Sequence, residues 1–95
     1  MATYILLSRL TDEGAKTIRE HPERIKAVDS EIESMGVRVK AQYAVLGPYD
    51  FVSIVEAPDH INVMRVSAEI AARGRTRIQT LAAVPVDEFV TRFKS

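Results

Sequence analysis

The chain has 95 residues, 13 basic and 13 acidic side chains and no cysteine. These figures exclude disulfides, thiol catalysis, cysteine-ligated zinc and iron–sulfur clusters. They also give no clustered positive charge to attract nucleic acid or an anionic membrane. The length suits a single domain spanning residues 1–95. With a modest core and no covalent staple, such a domain gains by oligomerising. No apolar run approaches the roughly 18–20 residues that cross a bilayer. The N-terminus lacks the basic and apolar pattern of a secretory signal, so a soluble cytoplasmic protein is expected.

Thr3 to Leu10 is apolar and β-branched and reads as a central strand, closed by Thr11-Asp12-Glu13-Gly14. Thr11 is placed to cap a short helix over Asp12 to Arg19. His21 precedes Pro22, which ends that helix and starts another at Pro22. Ile25, Val28, Ile32 and Met35 then recur at helical spacing, and Gly36 follows as a C-terminal cap.

Val37 to Leu46 alternates as a strand, with Val37, Val39, Ala41, Tyr43 and Val45 predicted to face the helices. Arg38, Lys40 and Gln42 fall on the opposite face by the same rule. Gly47-Pro48 predicts a tight hairpin corner before a strand over Tyr49 to Glu56. Asp59 is the expected N-cap of the next helix, whose wide apolar face is Val63, Met64, Val66, Ile70 and Ala71 and which ends at Gly74. Arg75 to Val84 is the last strand, with Ile78, Ala82 and Val84 inward and Arg75, Arg77, Gln79 and Leu81 outward. Val86, Phe89, Val90 and Phe93 mark a short amphipathic C-terminal helix.

The order is β-α-β-β-α-β with one helix appended. Right-handed crossovers turn it into an antiparallel four-stranded sheet with both main helices on one face, a ferredoxin-like α+β fold. The other sheet face has no cover. The central strands, Ile5 and Leu7 against Tyr4 and Leu6, Val52 and Ile54 against Ser53 and Val55, are apolar on both sides. A second copy is the expected cover, which would make a dimeric α/β barrel.

Two readings of the polar residues on that open face stay available. Lys40, Gln42, Arg77 and Gln79, with Ser8 or Ser53, could line a cavity for an anionic metabolite, or the charges could be solvated at the rim. His21 and His60 lack the spacing of paired metal ligands, and no metal or cofactor is expected. Arg73-Gly74-Arg75-Thr76-Arg77 is the densest basic spot, explained by a helix C-terminus running into a solvated strand. In Gly47-Pro48-Tyr49-Asp50, glycine and proline shape the turn and the aspartate can bond the turn's own amides. Tyr49 can lay its ring on the sheet there.

Tyr4 to Leu10, Met35-Gly36-Val37, Gln42 through Val52, Glu56-Ala57-Pro58-Asp59 and Pro85-Val86-Asp87-Glu88-Phe89 together resemble the GYD-domain proteins. Here Pro48 stands between the glycine and tyrosine of the name-giving tripeptide. The resemblance implies the dimeric α/β-barrel group and no established activity. The function expected is a homo-oligomeric binding or regulatory module for a small anionic metabolite, with Lys40, Gln42, Tyr49, Asp50 and Arg77 as candidate ligand contacts. The rivals are a cofactor-free isomerase, monooxygenase or decarboxylase using Tyr49, Asp50 and a histidine, and a purely structural assembly subunit.

Overall fold

In the computed structural model, which describes residues 1–94, four strands form one sheet and four helices accompany it. The elements are β1 (Ala2–Leu10), α1 (Asp12–Glu20), α2 (Arg24–Ser34), β2 (Arg38–Ala44), β3 (Phe51–Ala57), α3 (His60–Ala71), β4 (Thr76–Ala83) and α4 (Val86–Lys94). The sheet order is β2-β3-β1-β4, and each neighbouring pair is antiparallel. Each crossover therefore joins parallel strands across one intervening strand, the ferredoxin-like arrangement predicted above.

Local chemistry fixes the helix ends. Thr11 Oγ1 accepts from the Gly14 amide at 3.1 Å, and two acidic residues occupy the first turn of α1. Asp59 Oδ1 accepts from the Asn62 amide at 3.0 Å and opens α3. Pro22 stands in a turn with Glu23, and α2 begins only at Arg24, with no side-chain cap. Proline ends the first helix as expected, while the second starts two residues later than predicted.

The core lies between the helices and one sheet face. Tyr4 and Leu6 of β1, Val55 and Ala57 of β3, Val37, Ile32 of α2, and Val63, Val66 and Ile70 of α3 are all buried. Burying such aliphatic side chains contributes about 1.5–3 kcal/mol each, before the entropy of ordering the chain is subtracted. On the central strands the two apolar faces separate cleanly: Tyr4, Leu6 and Val55 are covered, while Ile5, Leu7, Val52 and Ile54 are half-buried on the side away from the helices.

The faces predicted for the second strand are half right. Between Val39 and Ala41 the pairing with β3 shifts by one residue, a β-bulge at Lys40. Val37 and Val39 face the helices, as predicted. Past the bulge the alternation inverts: Gln42, paired with Ser53, turns under the helices, and Ala41 and Tyr43 turn to the open face. Tyr43 is 58% exposed there. The physical reason is the side-chain period of two, which one inserted residue reverses for the rest of the strand.

The radius of gyration is 14.4 Å, against about 12.4 Å for a compact chain of this length. The C-terminal α4 has no buried residue, and its apolar stripe of Val86, Phe89, Val90 and Phe93 is exposed, with the two phenylalanine rings 4.9 Å apart.

Candidate functional site

The connector between β2 and β3 is longer than a tight hairpin turn. It runs over residues 45–50 and is closed by the Val45 amide on the Asp50 carbonyl at 2.9 Å. Gly47 sits at φ 122° with open space around it, so glycine is needed for its conformation and not for close packing. Asp50 does not bond the turn's own amides. Its Oδ2 accepts from the Leu10 amide of β1 at 2.8 Å, while its own amide donates to the Ser8 carbonyl at 2.8 Å. Asp50 thus ties the corner to the end of the central strand.

That tie leaves Tyr49 over the open face, where it meets the ends of β1 and β4. The Tyr49 hydroxyl donates to Gln79 Oε1 at 2.5 Å, reaching across β1 to the edge strand. Arg9 sets its guanidinium carbon 5.5 Å from the Tyr49 ring centroid and donates through Nε to the Pro48 carbonyl at 2.9 Å. A shallow depression of about 190 Å³ is lined here by Leu7, Arg9, Tyr49, Arg77, Ile78 and Gln79.

Its electrostatics are unbalanced. Arg9 and Arg77 are direct cross-strand partners in the β1–β4 register, and neither has an acidic ion-pair partner among the described residues. Like charges placed opposite each other on neighbouring strands repel, and an anion between them removes the repulsion.

Of the five predicted contacts, Tyr49 and Arg77 come together here. Lys40 lies on the opposite edge strand, where its Nζ is 3.9 Å from Glu56. Gln42 was expected on the open face and stands on the other, its Nε2 donating to Asp29 Oδ1 and Ser53 Oγ, both at 3.1 Å. Asp50 is committed to the backbone of β1. Arg9 was missed, although it shares the alternation of Ile5 and Leu7, which puts it on the open face; the β1–β4 register then sets it beside Arg77.

The acid–base grouping of Tyr49, Asp50 and a histidine is not assembled. His21 pairs with Glu23 at 3.3 Å on the surface. His60 Nδ1 meets the buried Tyr4 hydroxyl at 2.5 Å on the helix side of the sheet. Among the described residues no three His, Asp or Glu side chains form a group able to hold a metal ion, and no helix is long and apolar enough to cross a membrane.

Beneath the helices, burial disturbs the proton affinity of Asp29. Burial raises its pKa from the ordinary 3.8, opposed by the Gln42 hydrogen bond and the nearby Lys26 charge and assisted by Glu33.

The topology and the Gly47–Asp50 corner define an α+β protein of the ferredoxin-like class with one uncovered sheet face. The GYD domain family model matches residues 4–91, and the chain belongs to that family. It is 54% identical over 95 residues to a Thermus thermophilus protein named glutamine synthetase and cystathionine beta-lyase binding protein, covering 99% of this chain and 100% of that one. The crystal structure of TTHA0845, also from Thermus thermophilus, is similar in fold, with a TM-score of 0.57 and 26% identity over 90% of this chain and 95% of that one.

Proposed function

We propose that the protein is a homo-oligomeric binding module that regulates metabolic enzymes by association, with a small anion held at the Arg9–Arg77 end of its open sheet face. The observation that carries the reading is the pair of arginines facing each other without acidic partners, beside Tyr49 and Gln79. A carboxylate or phosphate there would neutralise both charges. The guanidinium fork suits either oxyanion.

Ile5, Leu7, Val52 and Ile54 form an apolar field on the same face, and a second copy is the cover that a domain with no third layer requires. Pairing through it would put the arginines at the rim of a subunit interface. Enzyme partners enter through the relative: its name points to a glutamine synthetase or a cystathionine beta-lyase as the first candidates to try with this chain.

Calorimetric titration with small carboxylates and inorganic phosphate tests the anion site. Arg77→Gln is expected to weaken binding by about tenfold or more while raising stability by about 0.5 kcal/mol, because it removes a like-charge pair. Unchanged affinity would sink the site. Sedimentation equilibrium tests the oligomer, and co-purification of the tagged chain with each candidate enzyme tests the partner. A monomer at all concentrations or an empty eluate would each remove that element.

A further inference from the structure

The C-terminal helix is the element that the single chain leaves unused. α4 buries no residue, and none of its side chains joins the core or packs against it. The molecule is drawn out to 52 Å along its longest axis, against 28 and 18 Å across. A helix of nine residues is marginal in water by itself and takes its stability from whatever its apolar stripe is laid against. Here that stripe is Val86, Phe89, Val90 and Phe93, all exposed.

Charge is arranged along α4. Asp87 and Glu88 stand in its first turn, and its last turn is basic. At 3.6 residues per turn, Asp87 falls on the flank of the apolar stripe, within reach of a surface beneath it. Glu88 falls on the far side.

The open sheet face has a direction too. Arg9 and Arg77 oppose each other at one end, and Leu7 and Ile5 follow Arg9 on the same side of β1. At roughly 3.3 Å per residue, they lie about 7 and 13 Å from Arg9. The stripe from Val86 to Phe93 is about 10 Å long by helical rise. With Asp87 set on the arginines, stripe and aliphatic field therefore overlap.

These positions decide whose helix fits. β4 ends at Ala83, opposite Thr3, which is about 20 Å along the sheet from the Arg9–Arg77 pair. Val84 and Pro85 alone link it to α4. Folded back on its own sheet, α4 would hold Asp87 at the far end and advance its basic last turn toward two more cations. A second copy whose strands run the opposite way brings the end of its β4, and with it Asp87, over Arg9 and Arg77.

We infer that α4 of a second copy docks on the open sheet face, with its Asp87 carboxylate between Arg9 and Arg77 and its apolar stripe on Leu7 and Ile5. This docking rests on the reading above that the two arginines take an oxyanion, and it makes a second copy one source of that oxyanion. A two-fold axis makes the exchange reciprocal, so each chain's helix completes the other's face. Free carboxylate and Asp87 then compete for the same guanidinium groups.

The test is sedimentation equilibrium of the full-length chain and of Asp87→Arg, Arg77→Glu and Glu88→Arg, with unfolding midpoints showing that each is folded. Asp87→Arg and Arg77→Glu are each expected to weaken self-association by on the order of tenfold or more. Mixed in equal amounts, those two variants should associate with each other more tightly than either does with itself, because the mixture returns Asp87 to an intact arginine pair. Glu88→Arg makes the same change of charge on the outer side of α4 and should leave association within about twofold. An equal loss for Glu88→Arg would overturn the docking, since net charge alone would then be responsible. So would an Asp87→Arg protein that associates as before, which leaves a dimer made by the sheets alone standing. A mixture no tighter than its components would also refute it, by placing the contact within one chain. If the unaltered chain never associates, the docking fails, and calorimetry with small carboxylates decides separately whether the arginine pair binds anions.

Discussion

The two faces of this sheet are built from the same strands and differ in what covers them. On the helix side, Tyr4, Leu6, Val55 and Ala57 are sealed by α2 and α3, and Gln42 is hydrogen-bonded to Asp29 and Ser53. On the other side, Ile5, Leu7, Val52 and Ile54 are shielded only by their lateral neighbours, and two arginines stand opposed at one end. Apolarity alone does not separate these faces. The difference arises from which side the helices can reach, so the covered side bears the stability of the single chain and the open side is left without a covering layer.

Adjacent leucines test that division most directly. Leu6→Ala removes a fully covered side chain and should cost about 3 kcal/mol, read as a fall in the urea unfolding midpoint. Leu7→Ala, one residue along and on the open face, should cost under about 1 kcal/mol in dilute protein and more as concentration rises. Equal, concentration-independent losses would erase the distinction between the faces.

A smaller effect is expected where the corner is tied to the sheet. Asp50→Ala leaves the Leu10 amide without its carboxylate and should destabilise by about 2 kcal/mol, with Asp50→Asn recovering part of the loss. A neutral alanine variant would mean that solvent replaces the bond and that the corner owes its shape to Gly47 and Pro48 alone.

The smallest and most pH-specific effect belongs to Asp29. Its folded pKa is raised above 3.8, chiefly by burial, so the native state holds its proton more tightly than the unfolded chain. Stability from this group is therefore fully present below the unfolded pKa and lost as pH rises through the folded one. Asp29→Asn should be the more stable protein near neutrality, and the two stability curves should converge as pH falls to 3.8 and below. Divergence in the acid range instead would reverse the assignment of cause.

Much of the fold was legible because it rests on local signals. Thr11 and Asp59 cap the helices they were expected to cap, and the stripes of α2 and α3 point into the core. Pro22 stopped a helix as predicted, but the start of the next depends on where Ile25 and Val28 can meet the sheet, a tertiary requirement. The candidate site was less legible. Tyr49 and Arg77 were found, while Arg9 joins them only through the β1–β4 register, which no short-range pattern records. Asp50 was expected to serve its own turn, yet its partner is 40 residues away in the chain. Gln42 was placed on the wrong face because a strict period of two has no room for an extra residue.

The irregularity at Lys40 bears on how relatives of this chain should be compared and edited. Lys40 is the unpaired residue, so a deletion at that single position would leave Val39 on Val55 and Ala41 on Ile54 as consecutive partners, with Tyr43 still on the open face and Gln42 still within reach of Asp29 and Ser53. A gap there is thus worth less than its one residue of difference, whereas a gap within residues 41–44 would turn side chains over. Relatives that lack a residue at position 40 can therefore keep the same two faces with a regular strand in place of the bulge.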